Sequence, residues 1–242
     1  MASSKQIETK LRQALEGKSG ELEVQQAIVQ AGLSGSRRFA ALLKRIAEET
    51  AHEDRRKVTY DALRSLEQLG EPPAYFQANA RAHEANKWLA YYSILILAHS
   101  PNDAPTRAAL DAIKTQTADN QIRGAIAEAE RLRALAAEYQ QLHTAQAQIE
   151  YILSHFRGGW NPISFGQTEL GSATDPLAVW SQQELRQLSQ AHPDLAAECV
   201  ARIDLSEQYA AASISRSYRD YIAQFLATEA VQRLQELEAQ RA

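Results

Sequence analysis

The sequence PTRAALDAI at residues 105–113 is followed in the chain by QIRGAIAEA at residues 121–129. Each stretch comes with an upstream aspartate and an arginine four residues after that aspartate. These pairs are Asp103 with Arg107, and Asp119 with Arg123. Small and aliphatic residues then recur at intervals of three and four, which is the spacing of one face of an α-helix. The repeated pattern predicts helices that stack in pairs.

The composition favours an all-α fold. Of the 242 residues, ten are Gly and seven are Pro, which is few for a fold built from many β-turns. Hydrophobic residues make up 45% of the chain, as is usual for a globular protein of this length. Ala, Leu, Gln, Glu and Arg are abundant, and these side chains lose little rotamer freedom in a helix.

Helical spacing of apolar residues recurs along most of the chain and is interrupted mainly at Gly and Pro. Gly32 is expected to close the second helix, and Pro72 and Pro73 to stop the fourth. Ser181, with Glu184 three residues later, has the pattern of a capping box and predicts a helix start. The predicted helices are about 4–16, 22–31, one containing 39–46, 54–69, 87–99, 104–117, 119–140, 181–191, one from 193, and 206 to the end.

The predicted helices are short and are joined by short turns. Taken in pairs, they resemble HEAT repeats, which stack into a curved α-solenoid. The resemblance is clearest in DRRKVTYDAL at 54–63 and DNQIRGAIAEA at 119–129, and it covers about half of the chain. It implies that the aspartate and the following arginine link neighbouring repeats, while the aliphatic residues fill the core. We therefore predict HEAT-like repeats over residues 1–156, a long ordered loop over 157–180, and a C-terminal helical module over 181–242 that packs on the repeats.

The charge distribution argues against a general binder of polyanions. Residues 1–99 carry 14 Lys and Arg against 12 Asp and Glu, and residues 100–242 carry 12 against 18. The two parts contribute +2 and −6, which sum to the net charge of −4. An acidic balance gives no long-range attraction to phosphate groups. Nucleic acid is therefore not expected as a partner.

The sequence contains none of the usual signatures of metal, cofactor or nucleophile sites. No two of the six histidines are four residues apart, and neither a glycine-rich nucleotide motif nor a nucleophile elbow occurs. Cys199 is the only cysteine; we expect a buried thiol and a cytoplasmic location. The longest apolar run, residues 94–98, is far too short to span a bilayer. We therefore predict no catalytic residue, metal, cofactor or membrane partner.

Two regions are candidates for binding. Around Trp88 and Tyr91 aromatic residues concentrate, and such side chains either fill a core or anchor a partner. The loop at residues 157–179 either caps the helical core or carries recognition, as loops on rigid scaffolds often do. The loop residues predicted to bind are Arg157, Trp160, Asn161, Phe165, Gln167 and Glu169. The residues predicted to form the core are Trp88, Leu89, Tyr92, Leu95 and Ile96.

Three functions of different classes follow from these observations. The first is a non-catalytic scaffold that binds a protein partner on the concave face of the solenoid and on the 157–179 loop. The second is a nucleic-acid enzyme, because HEAT-like repeats also build alkylpurine DNA glycosylases, although the acidic balance counts against it. The third is a small-ligand or glycan-processing domain that uses Glu169 and Asp175 as its carboxylates.

Overall fold

The structure is a computed structural model that describes residues 3–99, 104–156, 176–204 and 212–241. The regular elements within these ranges are thirteen α-helices and two 3₁₀ turns, and no strand occurs among them. The all-α prediction is therefore confirmed. None of the described helices is long and apolar enough to cross a membrane. Most of the predicted loop, residues 157–175, lies outside the described residues.

The chain divides into two compact units, Met1–Ala134 and Leu135–Ala242. The helices that begin in the first unit are α1 (Ser4–Leu15), α2 (Glu21–Leu33), α3 (Ala40–Glu49), α4 (Arg56–Gln68), α5 (Pro73–Arg81), α6 (Lys87–Leu97), α7 (Ala104–Gln116) and α8 (Asn120–Tyr139). The 3₁₀ turns, Arg37–Phe39 and Glu53–Arg55, precede α3 and α4. The helices of the second unit are α9 (Ala145–Ser154), α10 (Pro176–Ala191), α11 (Pro193–Ala201), α12 (Ala212–Ala223) and α13 (Thr228–Arg241). The predicted organisation into repeats, loop and C-terminal module stays a prediction.

In the first unit, helices that follow each other in the chain pack in pairs: α1 with α2, α3 with α4, and α5 with α6. Helices two places apart also pack against each other. Thus α2 contacts α4 and α4 contacts α6, while α1 contacts α3 and α5 contacts α7. One consequence is that α4 is enclosed on three sides, by α2, α3 and α6.

The sequence of α4 accounts for this enclosure. Its buried apolar side chains include Val58, Ala62, Leu63 and Leu66, which share one side of the helix. Toward α3, the Thr59 hydroxyl donates a hydrogen bond to the backbone carbonyl of Thr50 at 2.5 Å. Toward α2, the Ser65 hydroxyl donates to the backbone carbonyl of Ile28 at 3.0 Å. Small hydroxyl side chains therefore join α4 to both neighbours without adding bulk.

Helix α6 is buried on almost every side, as its apolar sequence predicts. Leu89, Tyr92, Leu95 and Ile96 are buried, which confirms four of the five residues predicted for the core. Trp88 is the exception, because it is only half-buried. It lies in the first turn of α6, at the edge of the packed region, and its ring stacks on Tyr92 with the ring centroids 6.2 Å apart.

Helix α10 begins at Pro176 and not at Ser181, so the predicted start is wrong. Proline suits the first position of a helix because that position needs no backbone N–H donor. Leu177 and Trp180 are buried, which favours a first turn packed against the unit. Ser181 lies inside the helix and donates a hydrogen bond to the carbonyl of Ala178 at 3.1 Å.

In the second unit, α11 packs against α9, α10, α12 and α13. Its buried residues are small, which allows these neighbours to approach closely: Ala196, Ala197, Cys199, Val200 and Ala201. Burial raises the pKa of the Cys199 thiol, whose residue is 5% exposed. The single cysteine is therefore a buried, protonated thiol, as predicted.

Candidate functional site

A polar stripe runs along α4 between its contacts with α2 and α6. The stripe consists of Lys57, Asp61, Arg64 and Gln68, which share one side of the helix because they are three or four residues apart. On one flank of the stripe, Ser65 reaches α2. On the other flank, the ring of Tyr60 lies 6.4 Å from that of Tyr92 in α6. The two neighbouring helices shield the stripe, so Lys57, Asp61 and Arg64 are only partly exposed.

Asp61 has the most unusual electrostatic environment of the stripe. Burial raises its pKa to about 6, and Lys57, one turn earlier in α4, offsets only part of this effect. No hydrogen bond from the described part of the chain stabilises the carboxylate. At neutral pH Asp61 is therefore mostly ionised, half-buried and poorly compensated. A cation brought by a binding partner would relieve this cost.

The other carboxylate at this side of α4 is compensated. Burial alone would raise the pKa of Glu67, but His99 and Arg64 together hold it below the ordinary value of a glutamate. Arg64 forms an ion pair with Oε2 of Glu67, and the same oxygen lies 3.8 Å from Nδ1 of His99. Arg64 is therefore paired with Glu67. Of the two carboxylates, Asp61 is the one whose negative charge is poorly compensated.

The aromatic side chains of α6 form one cluster, which reaches α4 through the ring contact between Tyr92 and Tyr60. The ring centroids of Trp88 and Tyr91 are 5.8 Å apart, and those of Tyr91 and Tyr92 are 5.1 Å apart, both edge to face. Tyr92 and Tyr60 are buried, whereas Trp88 and Tyr91 remain half-exposed. The structure therefore brings the two predicted α6 residues together. We call these two side chains and the polar stripe of α4 the α4–α6 face.

The first turn of α6 is tied to the start of α8. Nζ of Lys87 lies 2.9 Å from a carboxylate oxygen of Asp119 and 5.3 Å from the centre of the Trp88 ring. The other carboxylate oxygen of Asp119 accepts a hydrogen bond from the backbone N–H of Gln121 at 2.8 Å, which caps α8. Lys87 and Asp119 thus fix the edge of the α4–α6 face on which Trp88 lies.

A separate pocket of about 230 Å³ lies where α1 and α3 end and α2 and α4 begin. Val24, Ile46 and Val58 contribute apolar side chains to its lining, and Glu49 and Arg55 contribute charged ones. Sites for small organic ligands usually enclose about 300–1,000 Å³. The pocket is below that range and shares no residue with the α4–α6 face.

The second unit contains an aromatic cluster that the sequence analysis missed. Tyr139 donates a hydrogen bond to Glu184 at 3.1 Å, and Tyr151 donates one to Glu138 at 2.7 Å. The two tyrosine rings lie 6.3 Å apart, and that of Tyr139 packs edge to face on Trp180. Burial, reinforced by the carboxylates, raises the pKa of Tyr151 to about 12 and raises that of Tyr139 too. Both hydroxyls therefore stay protonated, and their hydrogen bonds stabilise the packing of the second unit.

The remaining sequence predictions fall on residues that the structure does not describe. These residues are Arg157, Trp160, Asn161, Phe165, Gln167, Glu169 and Asp175. In the described ranges, no group of three or more His, Cys, Asp or Glu side chains could hold a metal ion. No family model, curated protein or solved structure compared with this chain matches it.

Proposed function

We propose that the chain is a non-catalytic scaffold whose first unit is a HEAT-like α-solenoid and holds a protein partner on the α4–α6 face. The order of packing supports the architecture, because each helix pair contacts the next pair through α2, α4 and α6. The contact between Lys87 and Asp119 also supports it, since in HEAT repeats the equivalent aspartate links neighbouring repeats.

The observation that carries the proposal is the position of Asp61 in the face that also holds Trp88 and Tyr91. Half-exposed aromatic side chains supply large contact areas with few rotatable bonds, and they dominate the binding energy of many interfaces. A half-buried carboxylate with a pKa of about 6 is costly in the free protein. A partner that places a cation against Asp61 would offset the free-energy cost of burying the carboxylate, and this would favour binding.

These features define the chemistry of the partner. It should present a lysine or arginine for Asp61 and an apolar or aromatic side chain for Trp88 and Tyr91. Residues 157–175, the part of the predicted loop that precedes α10, are proposed as a second contact region because of the aromatic and polar residues in their sequence. Neither contact requires a catalytic group or a cofactor.

The test compares partner capture by variants that change only the α4–α6 face. Asp61→Lys and Tyr91→Ala should each lower the affinity for the partner by at least tenfold. The first variant loses a charge-assisted contact, and the second loses an aromatic anchor. Asp111→Lys is the matched charge control, since Asp111 is exposed on α7. Tyr218→Ala is the matched aromatic control, because Tyr218 is half-exposed on α12 in the second unit. Quantitative mass spectrometry of captured proteins, followed by calorimetry with the purified partner, gives the readout.

Two results would contradict the proposal. One is a set of captured proteins that is the same for the wild type, Asp61→Lys and Tyr91→Ala, once circular dichroism shows that all are folded. The other is retention of the partner after the face variants but its loss after residues 163–174 are replaced by a short Gly/Ser linker. The second result would move the binding site to the loop.

A further inference from the structure

The outward side of α2 carries an apolar stripe that no described helix covers. Leu22 is 67% exposed, Val29 is 44% exposed and Leu33 is 74% exposed, and these are the exposed large hydrophobic side chains of the described residues. With Gln26 they follow a spacing of four, three and four residues, so the four side chains lie on one side of the helix. We call these four residues the α2 stripe.

The α2 stripe is not needed for the core of the first unit. The opposite side of α2 is buried against α1 and α4 through Ala27, Ile28 and Ala31. The sequence from Val24 to Ser36 also contains no charged residue. Surfaces that only face solvent are normally interrupted by charges, and neighbouring exposed apolar residues mark contact sites.

We propose that the α2 stripe pairs with the α2 stripe of a second copy of this chain, with the two helices antiparallel. The alternation of four and three residues is that of a short coiled-coil seam. In the antiparallel register Leu22 lies opposite Leu33 of the second copy, and Gln26 lies opposite Val29 of the second copy. Every residue of the stripe then meets another member of the same stripe, as a twofold symmetric interface requires.

The charges at the two ends of α2 favour the antiparallel orientation. Glu21 and Glu23 are exposed in the first turn, and Arg38 is exposed just beyond the last turn. Arg37, next to Arg38, is also exposed and lies 3.9 Å from Glu71 of its own chain. Antiparallel pairing brings the acidic end of one copy toward the basic end of the other, whereas parallel pairing would place like charges together. Lys18, also near the acidic end, is already paired with Glu16 at 2.8 Å.

The size of α2 limits the strength of the dimer. A helix of 13 residues is about 20 Å long, so the seam covers less than the area of about 800 Å² per partner found in stable complexes. We therefore expect a dimer that forms and dissociates rapidly, with a Kd of roughly 10 µM to 1 mM. The pairing uses none of the residues of the α4–α6 face and does not depend on the proposed function.

Sedimentation equilibrium of the full chain from about 10 µM to 1 mM tests the association. The wild type should shift from monomer toward dimer as its concentration rises. The double variant Leu22→Gln/Leu33→Gln, which keeps good helix formers in α2, should raise the Kd at least tenfold. The control Tyr91→Ala should leave the Kd unchanged. A monomeric wild type at the highest concentration, or a dimer that survives the double variant, would overturn the proposal.

Disulfide trapping tests the orientation. The background is Cys199→Ala, which removes the buried native thiol. Leu22→Cys and Leu33→Cys chains should cross-link when they are mixed, because these positions are opposite each other in the antiparallel register. Each variant alone should cross-link at least tenfold less. Efficient cross-linking of Leu22→Cys to itself would show a parallel pair and would refute the antiparallel interface.

Discussion

Ser65 of α4 lies so close to Gly32 of α2 that a side chain at position 32 would collide with it. A Cβ atom built on Gly32 would be 2.8 Å from the hydroxyl oxygen of Ser65 and 2.9 Å from its Cβ atom. The same hydroxyl donates its hydrogen bond to the carbonyl of Ile28, one turn before Gly32. Gly32 is therefore where the backbone of α2 comes close enough to α4 for this bond to form.

Gly32→Ala should destabilise the first unit by about 1 kcal/mol. Alanine favours a helix over glycine by about 1 kcal/mol, but overpacking at a rigid contact costs about 1–3 kcal/mol. The contact with Ser65 should therefore outweigh the gain in helix propensity. Urea unfolding followed by circular dichroism gives the difference. An unchanged or higher midpoint would mean that α2 and α4 separate at no cost.

Gly124→Ala, in contrast, should stabilise the protein by about 1 kcal/mol. Gly124 lies inside α8, and a Cβ atom built on it meets nothing within 4 Å. Only the gain in helix propensity then remains. The same unfolding measurement serves both glycine variants, and shifts of opposite sign are expected. A loss of stability at position 124 would show a contact that the structure does not contain.

Leu95→Ala should destabilise the protein by about 2–5 kcal/mol, because apolar contacts are lost and a cavity remains. Leu95 is 2% exposed in the middle of α6. Leu33→Ala is the matched control, since Leu33 is 74% exposed and should change the stability of the monomer by less than about 0.5 kcal/mol. Equal effects of the two substitutions on the melting temperature would place α6 at the periphery.

Asp61→Asn should change how stability depends on pH. The folded pKa of Asp61 is about 6, above its ordinary value of 3.8, so protonated Asp61 favours the folded state. That contribution is fully present below pH 3.8 and is lost as the pH rises through 6. Removing the carboxylate should therefore improve the stability of the variant relative to wild type between pH 4 and 7, by at most about 3 kcal/mol. Urea midpoints at several pH values test this, and parallel curves would contradict it.

Duplex and single-stranded DNA should bind weakly or not at all at physiological salt. The net charge of −4 gives no long-range attraction, and Arg64 in the α4–α6 face is engaged by Glu67. Fluorescence anisotropy with labelled oligonucleotides measures the affinity. A sub-micromolar Kd that rises steeply with salt would instead favour the nucleic-acid enzyme considered in the sequence analysis.

The sequence predicted the existence of most helices because apolar periodicity is a local property. Boundaries were less predictable where tertiary packing decides them. Gly32 was expected to end α2, but it lies inside the helix, since its missing side chain serves the contact with Ser65. Ser181 has the residue pattern of a helix cap, but burial of Leu177 and Trp180 extends α10 back to Pro176.

The candidate site was only partly predictable for a similar reason. Trp88 and Tyr91 stand out in the sequence because aromatic residues are concentrated there. Asp61 does not stand out, since its raised pKa comes from burial in the folded chain, which no local pattern reveals. The hydrogen bond from Tyr139 to Glu184 joins residues 45 positions apart and was missed in the same way.

The burial of α6 has a consequence for the unfolded chain. Residues 88–98 combine aromatic and branched aliphatic side chains with no charge, Gly or Pro. Exposed segments of this kind associate between chains as β-strands and lead to aggregation. Variants that destabilise the first unit should therefore precipitate on heating rather than refold, and their yield from cells should fall before the partner affinity of the remaining folded protein does.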